Sequence, residues 1–320
     1  MTLIAGNLID DADFNNLLAT VNQIYGTGNR DRGYGQTTIT QPPVTVAGQV
    51  RSTNWTNLTH MIATCATHQG TPTNLPPDSL LATGQSIKAW SGITSEFLTD
   101  KDTTDKPLGL ITAGSYSIPN YVTAIDANRF NLAPTALSVA TNVWSVIRST
   151  TWSNNITTEV SATWASEDTA RFFFNSGGQI RMHGSHPTGT PQDTKWSNTL
   201  TGIGLIALAM HATTGTGTAG AQTVGYYELT DAYRTIYTNR PPGSYATSTT
   251  VLIEAKRLGF VGLNGANGKG VQFRVTLAEL GFYVNAITAA GTNFGLDTIR
   301  ATTFLAGITA PAYATVDPFN

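Results

Sequence analysis

The sequence predicts an α+β protein, mostly β. A helix-rich N-terminal domain spans residues 1–134, and an antiparallel, jelly-roll-like β-sandwich spans residues 135–320. Three observations lead there. Apolar residues recur at helical spacing in the first 130 positions. Beyond Pro134, short Val-, Ile- and Thr-rich segments alternate at a period near two. Gly-, Thr- and Asn-rich turns separate those segments, as in antiparallel sandwiches.

The first helix begins near Asp10, a good N-cap, with Asp11 and Asp13 in the turn that the helix dipole makes favourable for anions. Phe14, Leu17, Leu18, Val21, Ile24 and Tyr25 fall on its face, and Gly26 and Gly28 end it. A Gly-rich loop follows over residues 28–36, then an extended stretch with Pro42 and Pro43. A second helix is expected over residues 54–68, with Trp55, Leu58, Met61, Ile62 and Cys65 on one face, capped by Ser52 or Thr53 and stopped by Gly70 and Pro72. Residues 75–119 read as a mixed region with polar loops, and a third helix is expected over residues 120–129.

In the second half, Val139, Val143, Val146, Thr150 and Trp152 mark β-rich segments, and residues 156–164 alternate. Arg171-Phe172-Phe173-Phe174-Asn175-Ser176-Gly177-Gly178-Gln179-Ile180-Arg181 reads as a hairpin whose turn tolerates positive φ. A short helix is expected over residues 190–200. Further strands are expected over residues 205–210, 223–229, 250–255, 271–277 and 298–305, with residues 262–270 as a hairpin loop.

Composition narrows the function. Charged residues make up only 12% of 320, about half the usual share, so Thr, Ser, Asn and Gln must supply the polar surface. Burying hydroxyls and amides costs less than burying charges, which suits packed assemblies, secreted β-proteins and carbohydrate binders alike. The 18 basic residues are scattered among 20 acidic ones, giving a net charge of −2 and no basic footprint for nucleic acid. No apolar run reaches the ~20 residues of a membrane span, and Met1 to Ala5 lacks the features of a signal peptide, so no membrane partner is expected. Cys65 is the single cysteine, which excludes an internal disulfide and reads as a core residue.

Candidate chemistry is sparse. His183 and His186 could share a metal, but no third ligand is identifiable by spacing, and Gly184 and Pro187 point to a solvated loop. Glu167 with Asp168, and Glu228 with Asp231, are possible carboxylate pairs. Neighbours on an extended segment point to opposite faces, which makes the first a poor pair. No Gly-x-Ser-x-Gly elbow or phosphate-binding Gly-Lys-Ser/Thr is present, so no catalytic residue and no cofactor is expected. Trp90, Trp144, Trp152, Trp164 and Trp196 could stack on sugars, though large inward residues are also what a β-sandwich core or a subunit interface needs. Arg30, Asp31 and Arg32 form a charge cluster suited either to an inter-subunit ion pair or to a solvated turn.

Several motifs in order bring a resemblance. Asp13-Phe14-Asn15-Asn16, Tyr25-Gly26-Thr27-Gly28, Gly33-Tyr34-Gly35-Gln36 and Trp55-Thr56-Asn57-Leu58 resemble the opening of virion structural proteins of tailed bacteriophages, in particular those of cyanobacterial phages. The segment from Arg171 to Gly178, with Trp196, is similar to the later part of the same family. The resemblance touches most of the chain. It implies a non-enzymatic neck, tail or fibre appendage, made in the host cytoplasm and carried in the virion. Its partners would be copies of itself, with a trimer as first expectation and a ring second, and other neck or tail proteins. A receptor- or glycan-binding adhesin is the alternative reading, and a polysaccharide-degrading enzyme comes third. The expected assembly surface is Phe14, Leu17 and Val21 on the first helix with Arg30, Arg32 and Tyr34 on the loop.

Overall fold

The computed structural model describes residues 11–28, 31–37, 43–45, 50–73, 75, 78, 118–217, 223–239, 249–259, 268–279, 287–302 and 308–320. The chain divides into two compact units, one running to Ala136 and the other starting at Leu137.

Among the described residues, three α-helices build the first unit: α1 (Asp11–Tyr25), α2 (Ser52–Gln69) and α3 (Ile118–Ala127). On α1, Phe14, Leu17, Leu18, Val21 and Ile24 recur every three or four residues and are all buried. Phe14 meets Trp55 of α2 edge-on, with ring centroids 4.6 Å apart. The start of α2 differs from the expected one. Asn54 Oδ1 accepts the Arg51 N–H at 2.6 Å, so Arg51 is the capping position, and Ser52 and Thr53 already lie inside the helix. Gly70 ends α2 at φ 71°, a left-handed position that suits glycine. Cys65 is buried, and burial pushes its thiol up to about 12. From α3, Ile118, Tyr121, Val122 and Ile125 close this core.

Among its described residues, the second unit carries two antiparallel five-stranded sheets. One contains β1 (Leu137–Arg148), β9 (Thr292–Ala301), β3 (Gln179–Ser185), β4 (Ile206–Leu208) and β5 (Thr213–Gly215), in that order. The other contains β10 (Ala312–Asp317), β2 (Asn155–Thr163), β8 (Gly270–Glu279), β7 (Thr249–Leu258) and β6 (Arg234–Asn239). Val160, Phe273 and Ala255 stand in register across three strands of the second sheet and are all buried. In the first, β1 bulges between Ala140 and Trp144. There Asn142 takes φ 50° and its N–H reaches Asp297 Oδ1 at 2.8 Å.

The expected hairpin around Phe172 is instead a helix, α4 (Glu167–Asn175), followed by a turn into β3. Ser166 Oγ accepts the Thr169 N–H at 3.1 Å, and Glu167 and Asp168 complement the helix dipole. Ala170, Phe173 and Phe174 then form one buried face at i, i+3, i+4. Gly178 is required after it, because a Cβ there would lie 2.3 Å from the Phe173 carbonyl oxygen. Residues 223–229 are likewise no strand. They hold a single 3-10 turn, Tyr226–Glu228, whose Tyr226 ring stacks on Phe174 at 4.2 Å. Trp152 makes only an isolated bridge, to Thr288. The expected short helix is α5 (Pro191–Ile203). Among the described residues, no helix is long and apolar enough to cross a membrane.

Candidate functional site

The densest polar chemistry lies at the start of α5. Thr190 and Asp193 cap each other: Thr190 Oγ1 accepts the Asp193 N–H at 3.2 Å, and Asp193 Oδ2 accepts the Thr190 N–H at 2.9 Å. Asp193 Oδ1 accepts the Ala289 N–H at 2.8 Å and faces His186 Nε2 at 3.2 Å. His186 Nδ1 meets Thr292 Oγ1 at 2.9 Å, and that oxygen also accepts the Trp152 indole N–H at 3.0 Å. An indole only donates, so the Thr292 hydroxyl proton is free to point at His186 Nδ1. With a proton on Nε2 pointing at Asp193, each atom in the run from Trp152 to Asp193 has a partner. Burial alone would raise the Asp193 carboxyl. The bonds from Ala289, Thr190 and His186 outweigh that and hold it at about 2.

One turn along α5, Lys195 Nζ pairs with Glu279 Oε2 at 2.6 Å, with side-chain exposures of 1% and 0%. Gln192 donates its amide to the other Glu279 oxygen. Burial pushes the Glu279 carboxyl up, and the Lys195 ammonium opposes the shift without cancelling it. Trp152 and Trp196 pack beside the cluster with ring centroids 5.2 Å apart.

Thr292, His186 and Asp193 stand in the order of a nucleophile, base and orienting acid. A nucleophile must meet its substrate, however, and Thr292 is 0% and His186 5% exposed. What the arrangement does is hold. It binds the end of β3, the first turn of α5, the segment before β9 and the end of β8 to one another through these hydrogen bonds and the ion pair.

The sequence candidates fall apart in space. His183 lies on β3, part-exposed, with Nε2 3.4 Å from Asp297 Oδ1, whereas His186 is buried against α5 rather than in a solvated loop. Among the described residues, no three His, Cys, Asp or Glu side chains gather as a metal site. Glu167 and Asp168 sit in the first turn of α4, not on an extended segment, and Asp168 pairs with Arg171 at 3.1 Å. Glu228 accepts the Gly225 N–H at 2.9 Å and faces His211 at 2.7 Å, while Asp231 stands exposed in the following turn. Trp152, Trp164 and Trp196 are buried and so form no sugar platform. Trp144 is part-exposed on β1, and Trp90 lies outside the described residues.

The expected assembly surface needs correction. Phe14, Leu17 and Val21 are buried at 0%, 7% and 0% exposure, so this face covers its own unit. The Tyr34 hydroxyl donates to the Arg129 carbonyl at 2.7 Å and accepts from Gln69 at 2.6 Å, and burial pushes its phenol well up. Arg32 pairs with Asp126 at 3.1 Å, and Arg129 with Asp31 at 3.3 Å. Asp31 and Arg32 thus dock the Gly-rich loop on the end of α3 within one chain. Arg30 lies outside the described residues. Gly33 (φ 87°) makes that docking possible, since a Cβ there would sit 2.5 Å from the Gly26 carbonyl oxygen.

Set against protein-family models, curated proteins and solved structures, the chain matches none.

Proposed function

We propose that this chain is a non-enzymatic structural subunit of a tailed-phage virion, a neck, tail or fibre appendage protein that assembles with copies of itself and docks on other virion proteins. One observation carries the reading. The groups best suited to chemistry, His186, Asp193, Thr292, Lys195 and Glu279, are all buried and spent on fastening elements together. The charge-poor surface and the ordered motifs that resemble virion proteins support it further. The same reading takes the two sheets as the layers of a jelly-roll-like sandwich. In its favour, β9 returns beside the consecutive strands β3, β4 and β5, and β2 lies beside the consecutive run β8, β7, β6, both in Greek-key order. Thr298 of one sheet also meets Tyr313 of the other at 2.5 Å.

Antibody raised against the folded chain tests the assignment. Labelling at one fixed place on purified phage particles is expected. The adhesin alternative predicts in addition that the free chain binds host cells saturably and that host glycan competes. Release of reducing sugar from host polysaccharide would overturn the non-enzymatic assignment.

A further inference from the structure

Glu279 closes β8 and Lys195 sits one turn into α5, and the two meet almost without water. Lys195, Trp196 and Glu279 are 1%, 0% and 3% exposed. Lys195 Nζ lies 2.6 Å from Glu279 Oε2. The carboxyl carbon is one bond further on, so it lies within about 4 Å of the nitrogen, near the contact from which bonds form. The other carboxyl oxygen, Oε1, accepts the amide N–H of Gln192, three residues earlier on the same helix. Burial pushes the Glu279 carboxyl up, toward the uncharged form that an amine can attack. A bare ion pair shut away from water is seldom the most stable way to fill such a space.

We propose that Lys195 and Glu279 condense within the folded chain into an amide bond, which ties α5 covalently to the end of β8. The ion pair is the state in which the two residues first meet, and a chain that has not condensed keeps it. A proton passes from Nζ to Oε2 inside the 2.6 Å contact, leaving an amine and an acid. The Nζ lone pair then forms a bond to the carboxyl carbon. Negative charge develops on Oε1, where the Gln192 N–H already points. As that charge returns, the bond from carbon to Oε2 breaks, and Oε2 leaves with a second proton from Nζ as water. An ammonium and a carboxylate thus become one amide and one water. Nothing is oxidised, and no further reactant is needed. Two groups fixed in this way react as though at about 10⁵–10⁸ M, and exclusion of water protects the product from hydrolysis. The bond does not depend on the virion reading.

The intact mass of the full chain, measured after unfolding, tests this. The expected result is a wild-type chain lighter by one water than its 33.9 kDa sequence, with Lys195→Met and Glu279→Leu each at full sequence mass. Trypsin should fail to cut after Lys195 and should release one branched peptide, residues 182–234 joined to residues 275–300. The wild-type digest locates the bond by itself, so the test stands even if a variant fails to fold. A wild-type chain at full mass overturns the proposal. So does a lost water that the digest places elsewhere, as in an aspartyl succinimide, or one that either variant loses as well.

Discussion

Lys195 and Glu279, 84 residues apart in sequence, form an ion pair of 2.6 Å that is almost wholly shielded from water. Helix α5 brings the cation and the end of β8 the anion, so the pair fixes where the helix lies. Removing one partner leaves the other charge buried and alone. Lys195→Met should therefore cost about 3–5 kcal/mol, read from urea unfolding. Lys195→Met combined with Glu279→Leu should recover most of that loss, and an additive double variant would show that the pair is not coupled.

Asp193 gives the acid limb of stability. Its carboxyl titrates near 2 in the folded chain against 3.8 for the free group, so the folded state holds the proton more weakly. Its contribution is complete above the unfolded value and drains away as pH falls from about 4 through 2. The urea midpoint should drop across that window in the wild type. Asp193→Asn should be less stable at neutral pH and nearly flat there, and an unchanged slope would contradict the hydrogen-bond account.

Gly33 is required by backbone geometry. At φ 87°, with a Cβ 2.5 Å from the Gly26 carbonyl oxygen, alanine is strained twice. Gly33→Ala should destabilise the helical unit by at least about 1–3 kcal/mol in thermal unfolding followed at 222 nm. A neutral effect would mean that the loop does not dock as described.

Leu17 separates core from interface. It is 7% exposed within the helical unit, so Leu17→Ala should cost about 2–5 kcal/mol. Oligomeric mass should stay unchanged at temperatures where both proteins are folded. Dissociation without destabilisation would restore α1 as the assembly surface.

The sequence was most legible where one local period dominates. Phe14, Leu17, Val21 and Ile24 mark α1 without help from any distant residue. In α4, three consecutive phenylalanines before Gly177-Gly178 imitate a strand and hairpin turn. The Ser166 cap and the Ala170, Phe173, Phe174 spacing are the helical signals that decide it. β10 carries no local strand signal for a different reason. β10 is an edge strand exposed along most of its length, so no alternation between core and solvent is written into it. At the polar cluster, Thr190-Pro191-Gln192-Asp193 is a local capping signature that spacing can find. Its partners Thr292 and Glu279 arrive from other strands, through contacts that no local pattern encodes.

The central proposal is that this chain is built to assemble, not to catalyse. Reconstruction of particles of a tailed phage whose genome encodes the chain, with copy number counted in the map, tests that proposal most directly. The account predicts density for the chain at one symmetric position in the neck, tail or fibre region, in contact with neighbouring copies. Purified particles that lack the chain altogether would contradict it.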